Sequence, residues 1–371
     1  MSAQRLRVFL PLALLGVAAA TTGAVATTSA PAGAWRLSEY RVAQPAMDAL
    51  RTHFVDQLLR TNKQGTWAPM KMMLGDRDLK LMGLPSKRFL LGHRFSKPTL
   101  VTPDGHMQQV ALPTAASFAG AGYFGIRPGA WLLTVTDNEI GWCSMAHVYG
   151  APGSYSVSTA GHCGKTGDVG TVIAAAGNRA DATGVVLLDF GKYTRSTGDA
   201  GIGKDWALIG VDPAYQKLVT PTMAVWGGPR GIYTRTGDVA GAQLLTPKGA
   251  FSPKLSASTD PLLVQQIVHY GHGAGIGAGG TPRSGVAITW RPTYFAFFGA
   301  ITPGDSGSGS NAVTGDLAST MEAAGINTHI YVDASLRTGL GVMAGTRATQ
   351  VAAALANGQL VSYPVPAPGL P

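Results

Sequence analysis

The sequence predicts an all-β protein, and three observations carry that reading. Of 371 residues, 50 are Gly and 23 are Pro, a supply of turn formers that suits many short strands. Charged residues make up only 13% and hydrophobic ones 45%, which excludes a disordered polyampholyte and a heptad coiled coil. From about Phe118, short apolar runs are split by Gly, Pro, Asn and Asp, the texture of a sandwich or barrel rather than of alternating strands and helices.

Residues 1–34 read as an export signal. Arg5 and Arg7 form a short positive region, residues 8–20 are apolar, and Ala24-Val25-Ala26 and Ala32-Gly33-Ala34 are candidate cleavage sites. Thr21 and Thr22 interrupt the apolar run short of the roughly 20 residues a membrane helix needs. A secreted protein is expected, with no stable membrane insertion once the signal is cleaved; an uncleaved anchor is the alternative. Residues 35–117 are basic and differ in pattern from the rest, as a propeptide or an N-terminal extension would. Pro45 opens a helical stretch there, with Met47, Leu50, Phe54, Val55, Leu58 and Leu59 at three- and four-residue spacing.

The apolar runs of the body include Trp131–Val135, Ala207–Val211 and residues 155–159, 185–190, 223–226 and 262–268. A helix pattern returns over residues 346–355, closed by Asn357-Gly358, and the tail 359–371 is Pro-rich. The net charge of +9 is concentrated in the first 115 residues, so the body is nearly neutral and nucleic-acid binding is not expected. Cys143 and Cys163 are the whole thiol inventory, and in an exported chain an even count suggests a disulfide. Closing that loop would contribute roughly 3 kcal/mol in the chain-entropy model.

Three stretches carry chemistry. Thr159-Ala160-Gly161-His162-Cys163 follows an alternating strand, Asp205-Trp206-Ala207-Leu208 enters a buried one, and Gly304-Asp305-Ser306-Gly307 is a serine in a glycine-rich turn. Acyl transfer by serine needs an imidazole to take the hydroxyl proton, a carboxylate to orient that ring, and N–H groups for the oxyanion. Asp181, Asp189, Asp199 and Asp212 compete with Asp205 for the carboxylate role. His269 and His272 have ligand-like spacing without a carboxylate or thiol close in sequence, so no metal is expected. Residues 271–280 are glycine-rich but lack the Lys-Ser/Thr of a phosphate loop, and no cofactor is expected.

With these three motifs in the order His, Asp, Ser, the sequence resembles the chymotrypsin-like serine proteases, particularly their bacterial secreted members. Cys143 sits where that family places the partner of the cysteine beside its histidine. His269-Tyr270-Gly271-His272-Gly273 is similar to the mobile loop opening the family's second barrel. Ala324-Gly325-Ile326-Asn327-Thr328 is similar to its substrate-lining strand, and Gly341-Val342-Met343 precedes its terminal helix. The resemblance covers about residues 120–357 and implies two antiparallel β-barrels, over 118–228 and 229–358, the second unit including the terminal helix. It implies a secreted serine endopeptidase acting on polypeptides, with Ser306 as nucleophile, His162 as base and Asp205 as its orienting carboxylate. The N–H groups of Gly304 and Ser306 would form the oxyanion hole. A catalytically silent homologue acting as an extracellular or cell-surface binding protein is the alternative.

The departures from the family are informative. No clear apolar-glycine start motif lies ahead of Trp142 to supply the freed amine that pairs with the Asp before the nucleophile, so Asp305 needs another partner, such as an arginine. The position implied for the base of the primary pocket is Ala300, with Asn327, Thr328, His329 and Ile330 along its wall. None is acidic, which disfavours Lys or Arg and leaves small apolar or acidic side chains, the latter held by His329.

Overall fold

The computed structural model describes residues 35–112, 125–136, 138–239, 265–274, 281–314, 321–355 and 359–363. The expected signal at 1–34, the start of the body near Phe118, Asn357-Gly358 and most of the tail lie outside these residues. Among the described residues no helix is long and apolar enough to cross a membrane.

Two closed antiparallel barrels form the body, as the fold class expected. In the first, Trp131–Val135 pairs with Ile140–Ser144 and with Val169–Arg179. Val169–Arg179 pairs with Ala182–Ser196, which pairs with Ala207–Val211, which pairs with Ser156–Thr159. The ring closes where the chain leaving Ile140–Ser144 meets Ser156–Thr159. Val148 lies opposite Val157, the Ala146 N–H donates to Ser158 O at 2.7 Å, and the Ser158 N–H donates to His147 O at 2.9 Å. In the second barrel, Gln266–Gly271 pairs with Thr281–Trp290, then Tyr294–Ala300, Leu340–Arg347, Met321–Tyr331 and Gly309–Val313 follow, the last pairing back with Gln266–Gly271.

Alternation sorts the side chains of the first barrel into two cores. Leu132, Val172, Val186 and Leu188 fill the interior. Their neighbours Trp131, Leu133, Ile173, Val185 and Leu187 point outward, into a second cluster with Met47, Leu50, Phe54 and Leu79 of the N-terminal section. Both faces of these strands are therefore dry, which is why their sequences read as continuous apolar runs. The N-terminal section thus packs onto the body. Its helix Gln44–Thr61 starts with Pro in the first turn and buries Met47, Leu50, Phe54, Val55 and Leu58. Met47, Leu50 and Phe54 face the outer cluster of the first barrel, while Val55 and Leu58 join the core of the second. Short strands of the same section add to both barrels: Arg36–Ser38 to Val169–Arg179, Met72–Met73 to Ile140–Ser144, Thr99–Val101 to Ala182–Ser196, and Trp67–Pro69 to Met321–Tyr331.

Three expectations are corrected. The terminal helix spans only Ala348–Ala353, because Thr346 and Arg347 are held in the strand Leu340–Arg347, with Thr346 opposite Tyr294. The Arg347 side chain donates to the carbonyls of Tyr233, Arg235 and Arg291 between the Tyr233 and Trp290 rings. Residues 223–226 form no extended strand but a tight turn, closed by Met223 N–H to Gly227 O at 2.7 Å, with Val225 at φ 69. His269, Tyr270 and Gly271, expected in a mobile loop, belong to the barrel strand Gln266–Gly271.

Three buried imidazoles add a pH dependence. His147 meets Asn311 Oδ1 of the second barrel at 2.9 Å, His269 meets Ala300 O at 3.2 Å, and His272 meets Gly129 O of the first barrel. Burial lowers His147 and His269 to about 4 and His272 to about 3, against an ordinary 6.5. The unfolded chain binds these protons first, so their contribution is fully present above pH 6.5 and is lost as pH falls toward 4. Each tenfold difference in proton affinity corresponds to about 1.4 kcal/mol. Urea midpoints should fall steadily from pH 7 to pH 4.5, with net proton uptake on unfolding near pH 5. A flat profile over that range would contradict the assignment.

Candidate active site

The cleft between the barrels is built by three local structures. The first is the single 3-10 turn Gly161–Cys163 at the end of strand Ser156–Thr159, which presents His162. Its partner Asp205 enters strand Ala207–Val211 from a turn closed by the Asp205 N–H on Gly201 O at 3.1 Å. The Asp205 carboxylate is fully buried and fully used. Oδ1 accepts the Gly161 N–H at 2.5 Å and the His162 N–H at 3.2 Å, while Oδ2 meets His162 Nδ1 at 2.6 Å. A carboxylate in that position keeps the proton on Nδ1 and leaves Nε2 free to accept. Nε2 faces the Ser306 hydroxyl in a short hydrogen bond.

Ser306 stands in a turn that only glycine permits on both sides. Gly304 has φ 97 and Gly307 φ 83, and a Cβ on Gly307 would sit 2.1 Å from Thr159 Oγ1 and 2.3 Å from Ser144 O. The turn is tied to the other barrel by Ser144, whose N–H donates to Ser306 O at 2.7 Å and whose hydroxyl donates to Gly304 O at 2.9 Å. Among the described residues, the Gly304 and Ser306 N–H groups have no protein acceptor. Two donors beside a serine that shares its proton with an imidazole can hold an oxyanion.

Asp305 has the cationic partner that the sequence left unnamed. Arg283 Nη1 donates to Asp305 Oδ2, and both side chains are buried. The Gly273 N–H donates to Oδ1 at 3.1 Å and the Thr302 N–H to Oδ2 at 3.0 Å, while Arg283 Nη2 returns to Gly273 O at 3.1 Å. Arg283 lies in strand Thr281–Trp290, in no motif, so nothing in the sequence marked it.

The remaining candidates fall as follows. Cys143 and Cys163 form a disulfide with Cα atoms 6.2 Å apart, which buttresses the His162 turn and removes both thiols from any metal. Asn327, Thr328, His329 and Ile330 lie on Met321–Tyr331, all buried, and Ala300 ends the strand Tyr294–Ala300. Asn327 accepts from Ser310 Oγ at 2.8 Å and donates to Ser308 Oγ at 2.9 Å. His329 stands beside the Asp205–His162 pair: its Nδ1 is 4.0 Å from Asp205 Oδ2, its Nε2 is 3.4 Å from Asp199 Oδ1, and its ring meets His162 edge to face at 6.5 Å. Burial is the main cause lowering the proton affinity of His329, against the pull of Asp205. Of the competing carboxylates, Asp189 is taken by Thr171 and the Phe95 N–H, and Asp181 by Arg179.

No family model matches the chain, and no curated protein does. Among solved structures, the chain is similar to Thermobifida fusca Protease A, with 15% identity and a TM-score of 0.37 over 64% of this chain and 100% of that one. It is also similar to a thermostable serine protease, AL20, from an extremophilic microorganism, at 15% identity and TM-score 0.33 over 59% and 89% of the two chains. A glutamic acid specific serine protease using a histidine triad in substrate binding matches at 14% identity and TM-score 0.34, over 64% and 100%.

Replacing Arg283 by Met should destabilise the fold by about 3–5 kcal/mol, because it leaves the Asp305 charge buried and unpaired. Pairing it with Asp305→Asn should restore much of that loss in urea unfolding. Equal stability of the Arg283→Met chain and the parent would contradict the ion pair.

Proposed function

We propose that the protein is an exported serine endopeptidase that hydrolyses extracellular polypeptides. The observation that carries this reading is the continuous hydrogen-bonded chain Ser306–His162–Asp205, with two unengaged N–H groups beside it. Ser306 Oγ attacks the scissile carbonyl carbon while His162 Nε2 takes its proton. Asp205 holds the ring in the needed tautomer and stabilises the imidazolium. Charge developing on the carbonyl oxygen is received by the Gly304 and Ser306 N–H groups. His162 then protonates the leaving amine, and water, activated by the same imidazole, releases the acyl group.

Ala300, Asn327, Thr328, His329 and Ile330 supply the primary pocket in this reading, and none offers a carboxylate. The acids beside His329, Asp199 and Asp205, are engaged by His329 and His162, and Asp305, which accepts from the Thr302 N–H, is paired with Arg283. A Lys or Arg side chain would bury its charge unpaired, at a cost of several kcal/mol.

Kinetics on peptide anilides differing only at the residue before the scissile bond test the whole assignment. Ser306→Ala should lower turnover by on the order of 10⁶-fold and Asp205→Asn by about 10⁴-fold. Apolar residues should be preferred to Arg in kcat/KM. Near-normal turnover by the Asp205 variant, or a preference for Arg of about tenfold, which is 1.4 kcal/mol in transition-state binding, would refute it.

A further inference from the structure

The cleft is already occupied by the chain itself. Trp67–Pro69 lies antiparallel to Met321–Tyr331, with Ala68 opposite Ile330 and Pro69 opposite His329, and the Met70 N–H donates to Thr328 O at 3.2 Å. Two residues later the same extended stretch changes barrels. Met72 lies opposite Trp142, Met73 opposite Gly141, and the Leu74 N–H donates to Ile140 O at 2.9 Å. These two host strands flank the serine. His329 adjoins Asp205, and Ser144, at the end of the other strand, holds the Ser306 carbonyl. Adding a strand to a sheet edge is a general way for a protein to bind an extended peptide.

One peptide group lies between the two pairings, and neither barrel claims it. Among the described residues, the Met70 carbonyl and the Lys71 N–H make no backbone hydrogen bond, and the Gly304 and Ser306 N–H groups have no backbone acceptor. The side chains on either side differ as those of a bound substrate would. Met70 is fully buried in the apolar cluster that contains Ile301, Ile330 and Val342, whereas Lys71 is exposed. Met72 reaches the serine turn: a Cβ on Gly304 would stand 3.0 Å from its Cε. Beneath this strand Ser306 is fully buried and His162 is only 8% exposed.

We propose that residues 66–74 are a built-in substrate and that the Met70–Lys71 bond is a self-cleavage site. The proposal rests on Ser306 being the nucleophile. Ser306 Oγ bonds to the Met70 carbonyl carbon and its proton passes to His162. The C–N bond to Lys71 breaks, His162 gives the proton to the Lys71 nitrogen, and the acyl-serine remains. Water then adds to the ester, restoring the Ser306 hydroxyl and leaving a Met70 carboxylate and a Lys71 amine. The apolar pocket without an acid and the methionine that fills it are complementary, which places the cut on the carboxyl side of Met70 rather than of Lys71.

Incubating the purified chain, followed by intact mass and N-terminal sequencing, tests this. The parent should yield a new N-terminus at Lys71, and Ser306→Ala should stay whole. Lys71→Pro, at an exposed position whose N–H makes no backbone hydrogen bond among the described residues, should also stay whole and, with the strand still over Ser306, hydrolyse an added apolar peptide ester more slowly than the cut parent. If Lys71→Pro fails to fold, the comparison of the parent with Ser306→Ala carries the test. A folded parent that stays intact at residue 70 yet turns over the ester would overturn self-cleavage and leave the protease reading standing. Equal cleavage of Ser306→Ala would also overturn it. A folded parent that neither cuts itself nor turns over the ester would overturn both.

Discussion

A buried carboxylate with its own cation underlies the geometry of the cleft. Asp305 sits at zero exposure inside the turn that carries Ser306, and Arg283 reaches it from a neighbouring strand of the same barrel. Taking both charges out of water is costly, and the pair holds only because Gly273 and Thr302 satisfy the remaining oxygens. With Asp305 anchored from below, the residues on either side are free to aim their N–H groups into the cleft. The partner is internal to the barrel, so the turn needs no newly freed chain end to take its shape.

The site is shared between barrels, and polar contacts cross the seam between them. His162 and Asp205 come from the first barrel and Ser306 from the second. Ser144 holds the serine turn, the Thr346 hydroxyl donates to Asp205 O at 2.8 Å, and His147 meets Asn311. The helix Gln44–Thr61 spans the same seam with one apolar edge toward each barrel. Its segment toward the cleft continues into residues 66–74, so the element that braces the barrels also delivers the strand that fills the site.

Much of this was legible in the sequence where one physical signal dominated. Trp131–Val135 and Ala207–Val211 are strands at the expected bounds because both their faces are dry. The N-terminal helix follows its three- and four-residue spacing. His162, Asp205 and Ser306 come together because each motif carries its own local geometry: a 3-10 turn, a strand entry, a glycine-flanked turn. Signals that depend on distant partners were not readable. Arg283 is an unremarked residue of a long strand until Asp305 folds against it. Thr346 and Arg347 look helical until Tyr294 and the carbonyls around Tyr233 claim them. Trp67–Pro69 and Met72–Met73 are too short to show a period, and their conformation comes wholly from the barrel edges they join.

Covalent labelling tests most directly whether Ser306 is a nucleophile prepared by His162. The folded protein, exposed to a fluorophosphonate and digested for mass mapping, should carry one adduct, on Ser306. The His162→Ala chain should carry none under the same conditions. A folded protein that takes no label, an adduct on another residue, or labelling unchanged by loss of the imidazole would contradict it.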